Sequence, residues 1–385
     1  MAMSFSSSTT VKLFITCSPG VEPLLANEVK QIVNIEPEIA YAGVSLTVPS
    51  FEEIMKLNLY LRTASRVLMQ LFDAPCRYPQ DVYKAFRKRH WTGYFPHLES
   101  FMIDAPLVQH RGFTNSLYAA QIAKDGLCDS LKAILDQRPS VDTKNPQIRF
   151  VITIIDDLLE VFLDTSLDSL HKRGIRLKGH EAPIRETLAA ALLLTVGMKE
   201  DDIICDPCCG SGTMLLEAAL IQSNTPPGIL RNRWGFLKHP KCDYKMWTRV
   251  QDEAKKAIRP LKNDSFIAID NDRDSLDLLK EAVKKLKFEE AFTIKAQNFQ
   301  EVEFSTPPTL FVTNPPYGVR LQESEDLRPL YRSLGEFMKL KGAHPSRGAI
   351  FTTYDMSKEI GLKATKRHVF KNGQLECRLL EYDLY

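Results

Sequence analysis

Several features are missing from this 385-residue chain, and each absence closes off a class of protein. No apolar run is long enough for a membrane: the longest, Leu188 to Met198, holds 11 residues and includes Thr195 and Gly197, against the ~20 that a spanning helix needs. The amino terminus, Met1 to Thr10, is rich in Ser and Thr and lacks the basic segment and apolar core of a secretory signal. Charge of one sign is not in excess, since 50 Lys and Arg stand against 48 Asp and Glu for a net +2. Any basic footprint must therefore be local. The eight cysteines, at 17, 76, 128, 205, 208, 209, 242 and 377, are too scattered for a secreted disulfide framework and read as thiols of a reducing compartment. There is no internal repeat and no low-complexity tract after the first ten residues. What is left is a cytoplasmic chain of two or three domains. Its composition, 44% hydrophobic and 25% charged, allows a substantial core.

From Val151 onward, short β-branched runs alternate with helical patterns, the mark of βαβ units around a parallel sheet. The spacing predicts strands at Asp202–Cys205, Phe266–Ile269, Phe292–Lys295, Thr309–Thr313 and Gly348–Thr353, with helices at Thr213–Gln222, Ser275–Lys287 and Leu327–Leu340. The stretch Asn224–Asp264, with Pro226-Pro227-Gly228, Arg231–Phe236 and a helix near Lys245–Ala257, reads as an insertion on the rim of the sheet. Residues 1–165 mix strands (Lys12–Thr16, Val44–Val48, Gln147–Ile154, Leu159–Leu163) with helices (Val21–Ile32, Phe51–Tyr60, Leu117–Asp136) without βα alternation. That half reads as α+β, divided near residue 75 by Pro-bearing turns. The domains expected are 1–75, 76–165 and 166–385.

Three loops carry the chemistry. After the strand Asp202–Cys205 come Asp206-Pro207-Cys208-Cys209-Gly210-Ser211-Gly212-Thr213 and then a helix. Strand, glycine turn and helix let backbone approach a nucleotide-like ligand at a helix N-terminus. Leu215 stands where a third dinucleotide-binding glycine would fall, which disfavours a pyrophosphate; alone, such a turn is equally a plain connection. The next strand ends in Asp270-Asn271-Asp272, where a carboxylate can accept both ribose hydroxyls or merely cap the following helix. The third loop, Asn314-Pro315-Pro316-Tyr317, follows an apolar strand. Its prolines stiffen the chain so that the Asn314 side-chain carbonyl and the Pro315 backbone carbonyl converge on one donor, and Tyr317 offers a ring for stacking. An exocyclic amine on a flat nucleobase suits that arrangement.

In this order on successive strands, the three loops resemble the class I S-adenosylmethionine-dependent methyltransferases acting on exocyclic amines. Leu170–Arg176, Ala182–Ala191, Arg233–Phe236 and Asn372–Cys377 narrow the resemblance to the THUMP-containing guanine-N2 methyltransferases of large-subunit (23S) ribosomal RNA. The resemblance implies a Rossmann-like α/β sheet, doubly wound and mostly parallel with one antiparallel strand, preceded by ferredoxin-like and THUMP modules. It implies S-adenosylmethionine bound by Asp206, Cys208, Gly210, Gly212, Thr213, Asp270 and Asn298, with Asn314, Pro315 and Tyr317 as the catalytic loop. Two positions depart from the family pattern. Cys208 replaces a bulky apolar residue, and the third strand ends in Lys295-Ala296-Gln297-Asn298-Phe299 without the usual acid, leaving the Asn298 carbonyl to accept from the adenine amino group.

Lys172, Arg173 and Arg176 lie in His171–Arg185, which has five Lys or Arg and only Glu181 among the acids; they read as a track for RNA phosphates or as a solvated linker. Arg87–Trp91 reads as a grip on phosphate or, at least equally, as a charged helix end on a solvated face. Cys205-x-x-Cys208 lacks a second ligand pair, so no metal is expected. Two readings stay open beside guanine-N2 methylation: adenine-N6 methylation of DNA or RNA, and an inactive RNA-binding assembly factor.

Overall fold

The computed structural model describes residues 10–175, 184–317 and 326–385. The amino half contains β1 (Val11–Thr16), α1 (Glu22–Val33), β2 (Glu38–Ala40), β3 (Gly43–Val48), α2 (Phe51–Tyr60), β4 (Arg66–Pro75), α3 (Pro79–Arg87), β5 (Phe101–Gln109), α4 (Ser116–Leu135), β6 (Ile148–Ile155) and β7 (Leu158–Asp164). The carboxyl half contains α5 (Glu186–Val196), β8 (Ile204–Asp206), α6 (Thr213–Gln222), α7 (Tyr244–Lys256), β9 (Phe266–Asp270), α8 (Arg273–Leu286), β10 (Phe292–Ala296), β11 (Leu310–Thr313), α9 (Arg328–Lys341), β12 (Ser346–Thr353), β13 (Lys366–Asn372) and β14 (Leu375–Leu384). Each strand and helix expected from the spacing forms within two residues of its expected bounds.

The amino half builds one seven-stranded sheet in the order β2-β3-β1-β4-β7-β6-β5. The expected division near residue 75 falls inside this sheet: β4 pairs with β1 on one side and with β7 on the other, so the two modules share a ladder. The second sheet runs β10-β9-β8-β11-β12-β14-β13. Its five strands from β10 to β12 are parallel and β14 is antiparallel to both its neighbours, the one reversed strand of a doubly wound sheet.

The insertion expected on the rim of the sheet joins the two halves. Gly235 sits so close to the Asp164 carbonyl that a Cβ would overlap it, and the Phe236 N–H donates to Thr165 at 3.0 Å. Trp234, Phe236 and Trp247 form one buried aromatic cluster that meets Phe51 of α2. Arg249 of α7 pairs with Glu52 at 2.5 Å. Among the described residues no helix is long and apolar enough to cross a membrane.

Candidate active site

The chain winds from β8 outward to β9 and β10, then returns to β11 on the other side of β8. Adjacent loops diverge at such a switch point and leave a crevice beyond the carboxyl ends of the strands. The glycine turn after β8 and the Asn314–Tyr317 loop after β11 both emerge there. Asp206, buried at the tip of β8, accepts the Cys208 N–H at 3.1 Å. Gly210, at φ +50°, donates its N–H to Asp270 Oδ2 at 2.7 Å, and its missing Cβ would face open space. Gly212, at φ +74°, precedes the first residue of α6, the buried Thr213. A Cβ on Gly212 would run into Leu279 of α8. Two constraints thus require glycine at 212, the left-handed backbone and the close seat of α8.

The acids at the tip of β9 divide their work. Asp272 caps α8, accepting from the Asp274 N–H at 3.1 Å and the Ser275 hydroxyl at 2.6 Å. Asp270 does not cap it: one carboxylate oxygen holds Gly210 and the other takes the Asp272 N–H at 2.9 Å. Burial pushes the Asp206 carboxyl up to about 7, Asp270 adds like-charge repulsion, and the Thr313 hydroxyl and Cys208 N–H act the other way. Burial also raises the thiols of Cys205, Cys208 and Cys209 well above their ordinary range, which keeps them protonated and unreactive. Among the described residues no group of three or more His, Cys, Asp or Glu is placed to hold a metal ion. Asn298 caps the short turn Phe299–Glu301, its carbonyl accepting the Gln300 N–H at 3.1 Å. A carbonyl oxygen has a second lone pair for another donor.

The Asn314–Tyr317 loop is braced from two directions. The Tyr331 hydroxyl of α9 donates to the Pro316 carbonyl at 3.3 Å and lies 2.6 Å from the Thr352 hydroxyl of β12. On the other side, the Asn372 side-chain amide of β13 donates to the Tyr317 hydroxyl at 2.7 Å. Within this frame, Asn314 Oδ1 is buried and has no hydrogen-bond partner among the described residues.

Nearly the whole chain is matched by known domain families. The RMKL-like methyltransferase domain family matches residues 173–381, the RlmL ferredoxin-like domain residues 12–68, and the THUMP domain residues 76–164. The chain belongs to the RMKL-like methyltransferase family. A Ribosomal RNA large subunit methyltransferase K/L of Syntrophotalea carbinolica is 36% identical over 97% of this chain and 54% of its own length; the chain spans about half the length of the curated relatives it matches. Among solved structures, SMU.472, assigned as a methyltransferase and complexed with SAH, superposes with a TM-score of 0.84 at 26% identity over 98% of each chain. A predicted N6-adenine-specific DNA methylase of Listeria monocytogenes str. 4b F2365 gives 0.83 at 25% identity, over 97% of this chain and 96% of that one.

The crevice fits S-adenosylmethionine, the expected methyl donor. Open backbone at Gly210 lets a ligand lie close, and the carboxylates of Asp206 and Asp270 stand beside it at the ends of neighbouring strands.

The basic segment behaves differently from its expectation. Arg173 cannot serve an RNA track, because it is 3% exposed and its guanidinium is bound to Glu217 at 3.0 Å and to the Leu170 and Arg62 carbonyls. A desolvated arginine with its donors used inside the protein has nothing left for a phosphate. Lys172 is exposed; Arg176 lies outside the described residues. Arg231 of the insertion is also turned inward, donating to the carbonyls of Ser166, Asp168, Ser169 and Lys172. In Arg87–Trp91, the Trp91 ring is buried and stacks on Phe86 at 5.3 Å, and Arg89 covers Phe72, so part of this helix end is packed and not on a solvated face. The braces Tyr331, Thr352 and Asn372 were assigned no role from the sequence, although Asn372 opens one of the motifs that carried the resemblance.

Proposed function

We propose that the chain is a S-adenosylmethionine-dependent methyltransferase that modifies the exocyclic N2 amine of a guanine in large-subunit ribosomal RNA. The observation that carries this reading is the buried Asn314 Oδ1, without a partner among the described residues, in a loop stiffened by two prolines. A buried acceptor without a donor is costly unless a ligand supplies one, and an amine N–H is such a donor. The relatives named for large-subunit ribosomal RNA and the THUMP match support the choice of substrate.

The cofactor, when bound, supplies an activated methyl group on a sulfonium. Asp270 would hold its ribose while keeping Gly210 in place, Asp206 would face its cationic end, and Asn298 would accept from its adenine. Asn314 and the Pro315 carbonyl would orient the amine in line with the methyl carbon and take up the positive charge that develops on nitrogen. Tyr317 would stack on a base turned out of its helix. The modules would divide at residues 1–75, 76–165 and 166–385, with the THUMP module and Lys172 contacting RNA. No metal enters this scheme, and a ribosomal substrate places the enzyme in the cytoplasm.

A second reading keeps the chemistry and exchanges guanine for adenine, as the name of the Listeria neighbour suggests. Nucleoside mass spectrometry of ribosomal RNA from cells with and without the gene separates the two. Loss of N2-methylguanosine supports the first reading, and loss of N6-methyladenosine installs the second. If neither changes and calorimetry finds no S-adenosylmethionine binding, the chain is an inactive RNA-binding factor.

A further inference from the structure

Beyond the crevice, the catalytic sheet ends in β12, β14 and the edge strand β13. On one face, Arg378 of β14 stands directly across from Thr352 of β12 and from Val369 of β13. Thr352 is the residue that meets Tyr331, whose hydroxyl also holds Pro316. Arg378 is therefore one strand spacing, about 5 Å, from the bracing of the catalytic loop. Helix α9 packs over Ile350 and Leu380 on this face, whereas the edge positions Arg367, Val369 and Lys371 remain exposed.

Just past β12 stands Tyr354, 48% exposed. Both the Arg378 guanidinium and the Lys358 ammonium lie 4.1 Å from the centre of its ring. The buried Nε of Arg378 has no hydrogen-bond partner among the described residues. From Tyr354 to Arg378 the chain carries six Lys or Arg against three acids, in a protein of net charge +2. Of those acids, Glu359 is paired with Arg332, Asp355 lies 4.0 Å from Lys358, and Glu376 is across the strand pair from Lys371.

We propose that this surface, Tyr354, Lys358, Lys371 and Arg378, receives the single-stranded RNA that flanks the target base. The inference rests on the RNA-methylation reading and names a contact that reading leaves open. The carboxyl ends of β11 and β12 and the β13–β14 turn lie at one end of the sheet, so a strand entering the crevice must cross this rim. Cations hold its phosphates, and the Tyr354 ring holds Lys358 and Arg378 in place for them. Lysines on an edge strand also block unwanted strand pairing, but that role does not call for a tyrosine between two cations.

The test uses the full chain carrying Lys358→Ala and Lys371→Ala together, since both side chains are exposed. The probe is ribosomal RNA from cells lacking the gene. RNA affinity should weaken at least tenfold, and the slope of log K against log salt should flatten by about 1.4, two phosphates at ~0.7 each. S-adenosylmethionine affinity and kcat at saturating RNA should be unchanged. Tyr354→Leu keeps an apolar side chain and should weaken RNA binding about fivefold without altering the slope. Wild-type RNA affinity and slope in the double variant overturn the proposal and leave the lysines as guards of the sheet edge. A wild-type chain that transfers no methyl group to ribosomal RNA overturns the functional reading instead, while the salt slope still reads the surface.

Discussion

The turn after β8 and the loop after β11 face each other across one crevice and are finished to different degrees. In the first, Asp206 takes the Cys208 N–H and Asp270 takes the Gly210 N–H, so its backbone is held by its own carboxylates. In the second, the support comes from outside, from Tyr331 and Asn372, and the buried Asn314 carbonyl has no donor among the described residues. A buried polar group left without a partner costs about 1–3 kcal/mol. Under the proposed function, the cofactor side of the crevice is complete in the free protein, whereas the substrate side would be completed by its ligand.

Asn314→Ala breaks this comparison most severely. Turnover should fall by roughly a hundredfold, the scale of a lost transition-state hydrogen bond, while calorimetric S-adenosylmethionine affinity and the melting temperature hold. A large drop in melting temperature would mean that Asn314 is a structural residue. Asp270→Ala tests the other side, where one side chain serves both ligand and turn. Cofactor affinity should weaken by at least tenfold, ~1.4 kcal/mol, and amide exchange at Gly210 should quicken. Tyr317→Phe removes the acceptor of the Asn372 amide but keeps the ring, and a neutral hydrogen bond is worth about 1 kcal/mol. Turnover should fall about three- to fivefold, Asn372→Ala should match it, and the double variant should be no worse than either. Additive losses would show that the two residues act separately.

The last effect is in pH. A carboxyl raised to about 7 in the fold keeps a proton that the unfolded chain releases near 4. The contribution of Asp206 to stability is thus full below about 4 and is lost as pH rises through about 7. Against Asp206→Asn, the ligand-free protein should lose stability across that window in thermal melts. Cofactor binding should show the opposite slope, tightening by up to about tenfold from pH 6 to pH 8, because a cationic ligand favours the ionised carboxylate. A flat profile in both measurements would remove Asp206 from the site.

Sequence reading located both loops because each is local: a few consecutive residues set the glycine turn, Asp270 and Asn314–Tyr317. It missed β4 and β5 for a physical reason. Both strands carry bulges, between Gln70 and Phe72 and between Asp104 and Leu107, which break the two-residue alternation. β13 alternates poorly because it is an edge strand with mostly exposed positions. The misplacement of Arg173 has another origin, since its partner Glu217 lies 44 residues further along the chain. Charge in a sequence carries no sign of which way it faces. Asn372 reaches Tyr317 across 55 residues, and nothing in the local pattern of either one announces the contact.

The ladder shared by β4 and β7 sets an order of assembly. During synthesis β4 emerges more than 80 residues before its partner, which begins at Leu158. Until then one side of β4 is an open edge, while β1, already made, can pair with the other. Arg62 waits longer still, because its guanidinium donates to the carbonyls of Leu220 and Thr225 in the catalytic half. The amino-terminal sheet can therefore close before the first catalytic strand exists, and the join between the halves is the last part of that sequence to lose its water. A ribosome making this chain holds a nearly finished amino-terminal half while the half that would transfer the methyl group is still being translated.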